Sequence, residues 1–197
     1  EWDVSDDGLT YTFNLREDAT WVRADGSKYA NVTAHDFVSA AKYILDAKNA
    51  SSTANIFYSV IAGAEAYYLG TSTPEEGQEP YPVMDFETVG VKALDDYTLQ
   101  YTLVEPCPYF LSMVTYVCFM PVNADFLAEK GADFGVATSN ENILYNGAYV
   151  LSTFEPQQKR VYSKNVTNWD ADNILIETIE QTYNKEASTL SPEMYAR

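Results

Sequence analysis

A chain of 197 residues can bury a sizeable core and make one or two domains. Hydrophobic residues make up 46% of it, and no apolar run reaches the roughly 18 to 20 residues of a membrane span, so a soluble globular protein is expected. A net charge of −17 repels nucleic acid and anionic lipid headgroups and argues against both as partners.

Leu9, Tyr11, Phe13 and Leu15 alternate with polar neighbours, which is the period of a half-buried strand. Thr33 then stands three residues before Asp36, ahead of an apolar run. A Thr hydroxyl and an Asp carboxylate at that spacing can each satisfy the other's backbone N–H, so a capping box opens a helix there. Phe37, Val38, Ala41, Ile44 and Leu45 continue it at helical spacing to about Asp46. His35, on its first turn, has no second ligand nearby and reads as a surface residue.

Ser51 or Ser52 is placed to cap a second helix carrying Ile56, Phe57 and Val60. A third is expected from Ile61 to Leu69, with Gly70 as its left-handed stop. Residues 71–86, with Pro74, Pro80, Pro82 and Gly77, form a loop, and Glu75 and Glu76 there read as solvated charges. Val89 to Leu103 reads as a hairpin turning at Asp95 and Asp96, whose carboxylates suit an Asx turn.

Pro108 can open a short helix, with Tyr109, Phe110 and Met113 as core anchors, and Val114 to Pro121 has the apolar continuity of a strand. An Asn-capped helix from Asn123 to Lys130 ends at Gly131. Gly147 is assigned a backbone conformation that other residues resist. Two strands flank Glu155-Pro-Gln-Gln, a third runs from Ile174 to Tyr183, and Glu186 to Ala196 has a helical pattern. Asp170 and Asp172 lie in a run that lacks the glycine and distal glutamate of a calcium loop, so a turn is the reading.

The composition of potential sites argues against an enzyme. There is one histidine, no Gly-x-Ser-x-Gly, no P-loop and no Cys-x-x-Cys, and no cofactor or metal is expected. Cys107 and Cys118 leave both a disulfide and two buried thiols open.

Several of these stretches together resemble one family. Trp2, then Asp7-Gly-Leu-Thr-Tyr-Thr-Phe-Asn-Leu-Arg16, Trp21 five residues on, and Thr33-Ala-His-Asp-Phe-Val38 are similar to the extracellular solute-binding proteins of the oligopeptide and dipeptide class. So are Val91-Lys-Ala-Leu-Asp-Asp-Tyr-Thr-Leu99, Glu105-Pro-Cys-Pro-Tyr-Phe110, Phe119-Met-Pro-Val122 and Asn146-Gly-Ala-Tyr149. Ala47 and Val166 replace prolines of the family pattern, and Asn168 replaces a tyrosine.

The resemblance implies an α+β fold with mixed sheets and flanking helices: a partial lobe of the type II periplasmic binding proteins plus a small accessory domain. Residues 1–122 would be the accessory domain and residues 123–197 the first part of lobe one, in a fragment lacking the second lobe. It implies a non-enzymatic receptor that passes short peptides to the permease subunits of an ABC importer. Its place would be the periplasm or the cell surface, touching the membrane only through an anchor outside these residues.

The ligand-facing residues carried over from the family are Ser52, Thr53 and Asn55, at the start of the second helix. Peptide-binding members often have a tyrosine at the position of Thr53. One lobe offers part of the contacts of a two-lobed clamp, so the isolated fragment is expected to bind peptide weakly or not at all. The competing readings are a receptor for nickel, a sugar or a heme compound, and a carbohydrate-binding or adhesive module stacking sugars on its 16 tyrosines and three tryptophans.

Overall fold

The structure is a computed structural model that describes residues 1–183. In chain order the elements are β1 (Trp2–Val4), β2 (Thr10–Asn14), β3 (Thr20–Val22), β4 (Lys28–Asn31), α1 (Ala34–Leu45), α2 (Ala54–Tyr58) and α3 (Ala64–Thr71). They continue as β5 (Val91–Ala93), β6 (Thr98–Thr102), α4 (Phe110–Met113), α5 (Ala124–Lys130), β7 (Tyr149–Glu155), β8 (Lys159–Lys164) and β9 (Thr178–Thr182). This is the α+β class with several small antiparallel sheets. The chain forms two compact units. One comprises residues 1–17 and 32–128, and the other residues 18–31 and 129–197. The hairpin at residues 18–31 leaves the unit of its flanking segments, so neither unit is continuous in sequence.

In the first unit a sheet of order β1-β2-β6-β5 carries the core. Tyr11 pairs with Tyr101 and Phe13 with Leu99 across β2 and β6. Period-two alternation therefore turns Tyr11, Leu99 and Tyr101 inward, and each is buried. The helical layer closes over them. Phe110 lies at the centre, its ring 4.8 Å from Tyr11, 5.6 Å from Tyr101 and 5.9 Å from Phe119. Burial drives the Tyr101 phenol far above its ordinary pKa of 10. The capping box at the head of α1 closes, with Asp36 Oδ2 accepting the Thr33 N–H at 2.8 Å. His35 is exposed, 3.4 Å from the equally exposed Asp96.

Several local expectations are corrected. Val114 to Pro121 is no strand but a loop with a 3-10 turn at Val117–Phe119. Cys118 and Phe119 are both buried, and neighbouring strand residues cannot face the same side. The third helix starts at Ala64, because Ile61 makes an isolated antiparallel bridge to Leu103 and Gly63 turns at φ +71°. Gly70 is not a left-handed stop but lies inside α3. A Cβ there would sit 2.6 Å from the Pro82 carbonyl oxygen, so the 71–86 loop crosses where the side chain is missing. Tyr109 is 63% exposed and is not a core anchor. Cys107 and Cys118 are buried free thiols, and Cys107 Sγ lies 3.9 Å from Met113 Sδ.

In the second unit β3 and β4 pair, and Val22 exchanges hydrogen bonds of 2.8 and 2.9 Å with Tyr145. A separate sheet has the order β7-β8-β9. Asn165 follows β8 and is 3% exposed. Its side chain donates to the Gly147 carbonyl at 3.0 Å and its N–H to that of Ala148 at 2.9 Å. Gly147 itself has no left-handed backbone, and a Cβ there would meet nothing within 4 Å, so the role assigned to it from sequence is withdrawn. The third strand is shorter than expected, and residues 170–174 are a turn in which Asp170 accepts from Asn173 at 2.6 Å. The helical pattern of Glu186 to Ala196 lies outside the described residues.

Three turn carboxylates make the fold acid-sensitive. Asp25 accepts from the Ser27 hydroxyl and N–H at 2.6 and 2.9 Å, Asp95 from the Tyr97 N–H at 2.8 Å and the Thr98 hydroxyl at 2.9 Å, and Asp7 from the Leu9 N–H at 3.0 Å and from Ser5. Hydrogen bonding holds all three below their ordinary 3.8. A group with a depressed folded-state pKa contributes its stability above the unfolded value and loses it as pH falls through the folded one. Thermal melts should therefore show the parent losing more Tm below about pH 4 than a variant with all three changed to Asn. Parallel acid profiles would contradict this.

Candidate functional site

The α2 region is placed by two buried side chains. Ala54 and Phe57, three residues apart, face inward, and the Phe57 ring lies 4.8 Å from that of Phe119. That phase turns Asn55 and Ser59 outward, and Ser52 lies in the turn before the helix. Ser52 and Asn55 are exposed and make no side-chain hydrogen bond among the described residues. Thr53, half-buried, is the N-cap, in place of the Ser51 or Ser52 expected from sequence. Its hydroxyl caps no N–H of the helix and lies 3.4 Å from Ser51 Oγ. The structure thus brings Ser52, Thr53 and Asn55 together in one short segment with polar groups not spent on capping α2.

Beside them lies a feature the sequence reading missed. Ile56, Tyr109, Ser112, Met113 and Tyr116 wall a hollow of about 290 Å³ between α2 and α4, and nearly all its lining is apolar. Tyr109 and Tyr116, 63% and 49% exposed, stand among its lining residues. The Tyr109 phenol is raised above its ordinary value by its hydrogen bond to Cys107, next by the charge on that thiol when ionised. A signal for the hollow was present. Between Val104 and Asn123 the one charged residue is Glu105, and residues 51–64 carry none, in a chain with 41 charged side chains of four types.

These groups can do hydrogen bonding and apolar packing. Among the described residues no three His, Cys, Asp or Glu side chains are grouped to hold a metal ion, and no helix is long and apolar enough to cross a membrane.

Comparison with known proteins decides the family. Residues 1–194 match the bacterial extracellular solute-binding proteins, family 5, middle. The chain belongs to that family. The oligopeptide-binding protein AliB of Streptococcus pneumoniae is 43% identical over 183 residues, which is 93% of this solute-binding-protein chain and 26% of AliB. Among solved structures, a periplasmic oligopeptide-binding protein of Borrelia burgdorferi has a TM-score of 0.82 at 31% identity, covering 100% of this chain and 35% of that one. Listeria monocytogenes OppA bound to peptide has a TM-score of 0.79 at 30% identity, with coverage of 100% and 35%. The chain thus spans about a quarter to a third of these relatives. The names of these relatives are those of oligopeptide-binding proteins.

Proposed function

We propose that this chain is part of the substrate-binding component of an ABC peptide importer, a receptor that captures short peptides outside the cytoplasm. The observation that carries the reading is the likeness of the whole chain to a relative solved with peptide bound. Residues 1–122 serve as the accessory domain and residues 123–197 as the opening part of lobe one, with the rest of a two-lobed clamp needed to enclose the ligand. Ser52, Thr53 and Asn55 face the peptide and hydrogen-bond its backbone. Short polar side chains at one helix start suit that task, because an extended peptide repeats the same donors and acceptors whatever its sequence. The permease subunits are the receptor's partners, and a lipid anchor or the periplasm keeps it near them.

The reading is tested by adding trialanine at about 5 mM to the 15N-labelled full-length receptor that carries these residues and following amide resonances. Shifts concentrated at residues 51–56 are expected. The isolated chain, one part of a clamp, is expected to respond weakly or not at all. If no resonance of the full-length receptor moves, the reading falls.

A further inference from the structure

The apolar hollow adds a specificity element to that site. We propose that the hollow between α2 and α4, walled by Ile56, Tyr109, Ser112, Met113 and Tyr116, receives an apolar side chain of the bound peptide, so that the receptor prefers leucine-like residues at one peptide position. This inference rests on the receptor reading above.

Four observations choose the occupant. The first is continuity. Ile56 follows Asn55 directly, so the lining of the hollow begins one residue beyond the proposed backbone-binding segment. An extended peptide turns alternate side chains to one face at about 3.3 Å per residue, so one running on from residues 52–55 past Ile56 has a side chain to offer there. The second is size. A volume of about 290 Å³ lies at the low end of small-molecule pockets, which suits one side chain and not a docking helix or a second copy of the chain.

The third is chemistry. Ser112 and the two phenol groups are the polar side-chain atoms of the lining, so water in the hollow finds few partners and a methyl-rich group displaces it at a gain. The fourth is charge. Glu105 is the one charged residue on the segment from Val104 to Val122, so a lysine or glutamate of the peptide would give up water without gaining an opposite charge from that wall. Tyr109 and Tyr116 add broad, rigid ring faces that cost little entropy to order.

The test titrates the 13C-methyl-labelled full-length receptor with Ala-Leu-Ala, Ala-Glu-Ala and trialanine, following the methyls of Ile56 and Met113. Ala-Leu-Ala should move both methyls and bind about fivefold more tightly than trialanine. Ser112→Leu, an exposed helical position whose new side chain fills the hollow, should bring the affinities for those two peptides within about twofold of each other. The methyl shifts of the parent decide the matter even if that variant misfolds. Equal affinities with both methyls unmoved would overturn the hollow and leave the receptor reading standing. Silence with all three peptides would overturn the receptor reading itself. Methyl shifts that follow protein concentration without peptide, with a dimer in sedimentation, would give the hollow to a second copy and overturn the proposal.

Discussion

Phe110→Ala is expected to destabilise this chain by about 3 to 5 kcal/mol, the range for removing a fully buried aromatic ring. Phe110 is 0% exposed and meets three other rings, on β2, β6 and the 3-10 turn at Val117–Phe119. No single neighbour can move to fill the space, because each of Tyr11, Tyr101 and Phe119 is tied to a different element. The Tyr11 hydroxyl also donates to the Cys107 carbonyl at 3.4 Å, which holds its ring in place. Phe110→Leu keeps most of the apolar volume and should cost about half as much or less. Urea titration followed by circular dichroism reads both. A loss under about 1 kcal/mol for the alanine variant would mean that the ring cluster is not the centre of the core.

That cluster shows what the sequence could and could not reveal. The alternation of Tyr11 with Thr10 and Thr12, and of Leu99 and Tyr101 with Thr98 and Gln100, named the inward residues of β2 and β6 because a strand offers one periodicity and two faces. The helix of Ala34 to Leu45 was legible for the same reason, with its start written in Thr33 and Asp36. The loop from Val114 to Pro121 was not. Its run of apolar residues satisfies a strand as well as a 3-10 turn, and burial of the adjacent Cys118 and Phe119 is decided by packing against Phe57 and Phe110.

Tertiary approach was equally hidden elsewhere. Gly70 is a helical residue kept bare by a loop that returns over it, which no window around residue 70 contains. The Asn146 to Tyr149 signature and the stretch around Val166 and Asn168 were visible as two separate resemblances. The hydrogen bonds from Asn165 to the Gly147 and Ala148 carbonyls make them one feature, in which the asparagine supplies donors to a backbone turn 18 residues away. Of the candidate site, the polar start of α2 was readable through family resemblance. The hollow beside it left only a shortage of charged residues in the sequence, since its shape needs Ile56 and Met113 side by side.

Asp36→Ala should cost about 2 to 4 kcal/mol, well above the loss from a surface cap, because one carboxylate serves two helices. Asp36 is 4% exposed. Oδ2 accepts from the Thr33 N–H at the head of α1, while Oδ1 accepts from the Asn123 side chain at 3.2 Å. Asn123 in turn accepts the Phe126 N–H at 3.0 Å and so caps α5, and the Val122 N–H donates to the Asp36 carbonyl at 2.9 Å. Removing the carboxylate leaves a part-buried N–H and an amide without their acceptor, and it frees Asn123 to leave its capping geometry. Asn123→Ala alone should cost about 1 kcal/mol, the usual value of a lost N-cap, while the double variant should cost less than the two single losses added together. The shortfall in that double-mutant cycle, read from urea midpoints, measures how far the start of α1 and the start of α5 stand on one network. Strict additivity would show that the two caps act independently, with Asp36 serving α1 alone.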